Sequence, residues 1–209
     1  MPSPREGFIR VLVGDVEAAL QRRTAEDTDR HRREAVRTVL AAIEGLLFIY
    51  REHIRDIAKN ISNLDRGIDI ALQEKTYVIG SKGELLENVR YNEITSMLRF
   101  VGKVAESQCG AKPIDFSDIG YARLRASIKV RNRLTHPKAT TDLDVSEDEV
   151  SQAEDALLWL FREVTQGMAE ANIRLIRFNS DAAELTEALA RGDESAIADY
   201  RLAVAQLDD

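Results

Sequence analysis

Residues 36–61 read VRTVLAAIEGLLFIYREHIRDIAKNI, and this stretch decides the fold class. Val36, Leu40, Ile43, Leu47, Tyr50, Ile54, Ile57 and Ile61 recur alternately four and three residues apart. A helix advances about 100° per residue, so this spacing lines one face of a long helix with apolar side chains. Such a seam packs nearly parallel or antiparallel to neighbouring helices. Phe48 and Ile49 widen the apolar face, which puts the helix at the centre of a bundle or at a dimer interface. A free coiled coil fits less well, because the later helices also need partners.

Working outward, Phe8–Arg23 reads as a first short helix with Phe8, Leu12, Val16 and Ala19 or Leu20 on its apolar side, broken by the polar stretch 24–30. Downstream, Ile68–Tyr77 is expected as a shorter helix, and Gly80-Ser81-Lys82-Gly83 as a turn. Helix is expected to resume within Glu84–Ser107, with Gly110 as its stop. Lys112–Ser117, with Pro113, is a connection. Asp118–Thr135 then forms a helix for which Ser117 is a plausible N-cap. Ser146-Glu147-Asp148-Glu149 spells a capping box. The helix behind it carries Val150, Ala153, Leu157, Phe161, Val164 and Met168 on one side, leaving Trp159 about 180° away. That position requires exposure, or burial against the N-terminal helix, a C-terminal hairpin or a second subunit. Asn179–Gly192 and Asp193–Leu207 read as that hairpin. No repeat and no convincing strand is found. The expectation is an all-α, up-and-down bundle, a single helical domain over 1–209.

Composition agrees. Apolar residues make up 44% and aromatics 6%, which suits an aliphatic bundle, and four prolines with eleven glycines are too few for a turn-rich β chain. The longest apolar run, Gly45–Tyr50, is far too short to span a bilayer, and Met1–Arg10 lacks the basic-then-apolar order of a secretion signal. One cysteine, Cys109, can form neither an internal disulfide nor a cysteine metal cluster. The expected compartment is the cytoplasm, with no membrane contact.

The net charge of −7 argues against a general nucleic-acid binder, but the charge is unevenly placed. Six Lys/Arg and no acid lie between Tyr121 and Thr141; seven acids and no base lie between Asp142 and Asp155. The basic strip either concentrates phosphates or lies against the acidic helix and is neutralised by it. Within the strip stands Arg131-Asn132-Arg133-Leu134-Thr135-His136-Pro137-Lys138. On a helical wheel Arg131 falls in the sector of Leu124, Ile128 and Thr135, so it is expected to meet a buried anion, a partner chain or a substrate phosphate. Pro137 disfavours helical backbone at His136, which puts the imidazole at an exposed helix end, on the flank shared by Arg125, Lys129 and Asn132.

Arg131-Asn132-x3-His136, set in a helical context with Pro137 after the histidine, resembles the signature of the HEPN superfamily over roughly residues 28–175. These are small helical bundles, many of them metal-independent ribonucleases of toxin–antitoxin, antiviral and RNA-processing systems. The resemblance implies an endoribonuclease acting on RNA without a cofactor. Arg131, Asn132 and His136 would be catalytic, in a composite site at a homodimer interface, with an antitoxin or regulatory protein as a further partner. It equally implies the alternative found within the family, a catalytically silent module that binds nucleotide, RNA or a protein.

The residues suit the first reading. Imidazole is the group whose unperturbed pKa serves proton transfer near neutrality. A guanidinium offers a fixed fork of donors to phosphate oxygens. Asn132 can orient the phosphate or the imidazole. Arg125, Lys129, Arg133 and Lys138 would hold flanking phosphates. The competing structural roles are a helix-end cap for His136 and an ion pair for Arg131, with Glu44 a candidate partner. Elsewhere, His31 reads as surface on a solvated helix start, His53 lacks a matching ligand at i+4, and Cys109 reads as an apolar filler.

Overall fold

The computed structural model describes residues 4–205, with side-chain environments from residue 7 onward. In chain order it contains α1 (Pro4–Ala25), α2 (Asp29–Ile61), α3 (Arg66–Leu72), β1 (Lys75–Ile79), β2 (Leu85–Val89), α4 (Ile94–Cys109), α5 (Ile119–Thr135), a 3-10 turn (Thr140–Leu143), α6 (Glu147–Ala190) and α7 (Glu194–Ala205). The fold is an all-α bundle carrying one small β-ribbon. No helix among the described residues is long and apolar enough to cross a membrane.

α2 is the axis of the bundle and packs against α1, α4, α5 and α6. Its seam is buried from Val36 to Ile57, with Ile61 half-buried at the end. Thr28 caps its start by accepting the His31 N–H at 3.3 Å. Gly110 ends α4 in the left-handed conformation, φ 64°. Ser146 and Glu149 form the expected reciprocal box, Glu149 N–H to Ser146 Oγ at 3.2 Å and Ser146 N–H to Glu149 Oε2 at 3.0 Å.

Five expectations are corrected. Residues 75–89 form an antiparallel ribbon, Lys75 opposite Val89 and Ile79 opposite Leu85, where helix was expected up to Tyr77 and again from Glu84. The β-branched and aromatic run Thr76-Tyr77-Val78-Ile79 favours strand, and Gly83 at φ 79° closes the turn between the strands. The N-cap of α5 is Asp118, whose carboxylate accepts the Gly120 N–H at 2.7 Å, not Ser117. Trp159 is buried inside the main core, against Gly120 and Tyr121 of α5. The inward face of α6 is Val150, Ala153, Ala156, Trp159, Leu160 and Val164, and Phe161 is exposed. Finally, the hairpin expected over 179–207 does not begin at Asn179. With no proline and only Gly167 in its span, α6 continues unbroken to Ala190, and the chain turns at Gly192, φ 76°, into α7. The end of the second expected helix, Leu207, lies outside the described residues.

Candidate functional site

The inward face of α5 is Gly120, Tyr121, Leu124, Ser127, Val130 and Leu134. That stripe is rotated from the expected one: Thr135 is exposed, Ile128 half-buried, and Arg131 stands at the edge of the packed face. Arg131 is therefore not a buried charge. Its side chain retains 32% exposure and its Nη2 donates to Glu44 Oε1 of α2, the acid foreseen as a structural partner. Nη1 also reaches Asn132 Oδ1 at 3.4 Å.

These residues form one wall of a cleft of about 950 Å³ between α2, α5 and the segment leading from β2 into α4. Arg125, Ile128, Lys129, Arg131 and Asn132 line it from α5; Glu44, Leu47, Phe48 and Arg51 from α2; Tyr91–Thr95 and Met97 from the opposite side. At one end of the cleft Arg51 and Glu74 form a nearly buried ion pair, with side chains 8% and 13% exposed. Glu74 also accepts the Asn92 N–H at 2.9 Å, tying the cleft rim to α2. The Arg51 guanidinium sits 5.1 Å over the Phe48 ring, a cation–π contact. At the rim Tyr91 is 85% exposed. Arg51, Glu74, Phe48 and Tyr91 were not foreseen as site residues. Only Arg51 left a trace in the sequence, a charge between Leu47 and Ile54 at helical spacing on the edge of the seam.

His136 is the C-cap of α5, exposed, with its N–H donated to Asn132 O at 3.0 Å. It is not among the residues that line the cleft. The loop that carries it is held from two sides. Asp142 accepts the backbone N–H groups of Lys138 at 2.7 Å and Ala139 at 3.0 Å, and these bonds hold its carboxyl below the usual carboxylate range. Arginines in the first turns of α2 donate to main-chain carbonyls of the last turn of α5 and the α5–α6 connection: Arg37 to Leu134 O at 2.9 Å, Arg33 to Leu143 O at 3.1 Å and Arg32 to Val145 O at 3.3 Å. That cluster is a clasp, not the solvated helix start expected around His31. His31 itself is half-buried, Nδ1 2.7 Å from Glu26 O.

The basic strip divides. Arg133 is engaged by both Glu149 oxygens at 3.1 Å and by Asp144 O at 2.7 Å, and Arg123 pairs with Asp155 at 2.7 Å. Those two arginines are neutralised by the acidic start of α6. Arg125, Lys129 and Lys138 are exposed and form no ion pair among the described residues, the first two facing the cleft. Elsewhere, Cys109 is fully buried and burial pushes its thiol up to about 11, as suits a filler. Among the described residues no three His, Cys, Asp or Glu side chains come together as a metal site. The arrangement can bind an anionic chain along Arg125 and Lys129, receive a planar group against Tyr91, and offer an exposed imidazole at the end of α5. Compared with family models, curated proteins and solved structures, the chain matches none of them.

Proposed function

We propose that this chain is an RNA-cleaving enzyme that uses His136 for proton transfer and Arg131 for the charge that builds on phosphorus. The observation that carries the reading is the shared cleft wall: Arg125, Lys129, Arg131 and Asn132 line one groove, and His136 caps the same helix in solvent. In the proposed step the imidazole removes the ribose 2′-hydroxyl proton, the 2′-oxygen bonds to phosphorus, and the bond from phosphorus to the 5′-oxygen breaks. The leaving oxygen takes a proton from an acid, giving a cyclic 2′,3′-phosphate and a 5′-hydroxyl. Arg131 leaves Glu44 for the phosphate, an exchange that costs little because both side chains are partly in water. One neutral imidazole cannot be base and acid in the same event. A two-fold dimer joining the α5 ends would let the partner's His136 supply the acid.

A second reading, a silent module that binds nucleotide, RNA or a protein, is favoured by the Arg131–Glu44 pair, which already satisfies the arginine without a substrate. Labelled RNA incubated with the protein in excess chelator separates the two. Cutting to a cyclic-phosphate end, absent in His136→Ala, supports the enzyme. RNA left whole under every ionic condition, with tight nucleotide or protein binding, supports the module. Cutting that appears only with added magnesium or manganese refutes the proposed step.

A further inference from the structure

Charge in the cleft is unevenly spent. Arg51 pairs with Glu74 and Arg131 with Glu44, so those four groups cancel. What is left over lies on opposite walls. Arg125 and Lys129 stand on the α5 wall with no ion pair among the described residues. Glu93 stands on the facing wall, exposed and likewise without an ion pair among the described residues. It is the N-cap residue of α4, yet its side chain makes no capping bond. A plain polyanion would meet Glu93 as a like charge. The ligand that complements both walls carries an anion at one end and N–H donors at the other.

The segment that carries Glu93 adds a flat surface. Arg90 gives its backbone N–H to Glu74 O at 2.8 Å, and Asn92 gives its own to Glu74 Oε1 at 2.9 Å. Alternate N–H groups turned to one residue mark an extended chain, in which residues two apart share a face. Tyr91 and Glu93 therefore project together, and both line the cleft. Their anchor is firmly held. The Glu74 carboxylate is gripped by the nearly buried Arg51, and its backbone, at φ 53°, is in the left-handed region that non-glycine residues seldom occupy. An 85% exposed tyrosine ring held at the rim of a charged cleft is a platform on which a planar group stacks.

We propose that the cleft binds a guanine nucleotide, with the base stacked on Tyr91, its N1–H and N2–H donated to Glu93, and its phosphate on Arg125 and Lys129. Guanine alone among the four bases presents two adjacent donors to a single carboxylate. Adenine and cytosine present one amino group beside a ring nitrogen that is an acceptor, which the second carboxylate oxygen repels. Uracil presents one N–H between two carbonyls. At about 950 Å³ the cleft has room for a nucleotide and its neighbours in a strand. As the base preference of an RNA-cleaving site, the proposal rests on that reading; as a site for free nucleotide it stands without it.

The test is binding of the full chain to short, dye-labelled 2′-O-methyl oligouridines, which cannot be cleaved, holding one guanosine, adenosine or cytidine, read by fluorescence anisotropy. The guanosine oligomer should bind about tenfold more tightly than the others, the range of one bidentate base contact. Glu93→Gln should erase that preference, because the amide keeps one acceptor and turns a donor toward the base. Tyr91→Ala should weaken every oligomer by about tenfold, and Tyr91→Phe should restore the affinity. Both residues are exposed, and Trp159 emission verifies that the variants are folded. Competition by guanosine monophosphate separates the two sources of the ligand: displacement at the oligomer's own concentration assigns the site to the free nucleotide, and a preference kept without displacement assigns it to a strand. Equal affinity for all the oligomers, or a guanosine preference that survives Glu93→Gln, overturns the inference. Guanosine preference in a protein that leaves natural RNA whole upholds the inference and defeats the cleavage reading; cutting with no base preference does the reverse.

Discussion

Gly120→Ala should destabilise the protein although alanine is the better helix former. Gly120 is the second residue of α5 and lies on the face turned to α6. A Cβ there would overlap Cβ and Cγ of Trp159 and stand 2.7 Å from its Cδ1. The atoms struck are the root of a side chain only 4% exposed, so no rotamer change relieves them and the two helices must part. Overpacking a filled core costs roughly 1–3 kcal/mol, and this clash belongs at the upper end. Against it stands a helix-propensity gain of up to about 1 kcal/mol, smaller in the first turn than in the interior. The net expectation is about 2 kcal/mol lost, which for a chain of this size lowers Tm by about 4–8 °C. Urea unfolding followed by Trp159 emission measures it with a probe seated at the clash. Gly14→Ala is the matched control. Gly14 is exposed in α1, and an added methyl there would have nothing within 4 Å, so the substitution should gain about 0.5–1 kcal/mol. If Gly120→Ala matches the wild type in midpoint and emission, the packing of α5 on α6 through Trp159 is wrong.

Glu44→Gln releases Arg131 from its ion pair, so RNA binding should tighten by about two- to fivefold, the range expected for losing one partly exposed competitor. An unchanged or weaker affinity would remove Arg131 from the phosphate contacts. The Asp142 carboxyl is held low by the Lys138 and Ala139 amides, so its contribution is complete above the unfolded carboxylate value of about 3.9 and is lost as pH falls through the lower folded value. The amide shifts of Lys138 and Ala139 should accordingly titrate below about 3.9, and a midpoint at or above it would contradict the loop geometry. Cys109, buried and pushed up to about 11, should resist a disulfide reagent at pH 8 until denaturant opens the core. Fast labelling of native protein would show that the α2–α4 contact opens readily.

The candidate site was partly legible in the sequence. Arg131 and Asn132 were singled out on a helix that does line the cleft, and His136 was placed at a helix end because the proline after it disfavours helical backbone there. Arg125 and Lys129 were singled out because their charge had no acid nearby in the chain, and both line the cleft. Arg133 had none nearby either, yet it is taken up by Glu149, sixteen residues on and brought alongside by the turn between α5 and α6. Tyr91 and Glu74 gave no sign, because what makes them site residues is the ribbon that sets them opposite α5, and a strand pair inside a helical chain is a contest of weak local preferences.

Periodicity determined the bundle. The seam of α2 and the box at Ser146 are local facts, readable because burial repeats every three or four residues and a cap needs only four. Which way each shorter helix turns was decided only in three dimensions. Apolar residues on α5 and α6 cover more than half the circumference, so several rotations satisfy the sequence equally. Fits between helices make the choice, among them the Trp159 ring against the missing side chain of Gly120 and Tyr50 of α2 against Gly167. With Trp159 turned inward, Phe161 faces outward, and on α5 Arg131 stands at the rim beside Glu44. Close packing between residues 39 positions apart depends on the shape of both surfaces at once, and no periodicity within either helix records it.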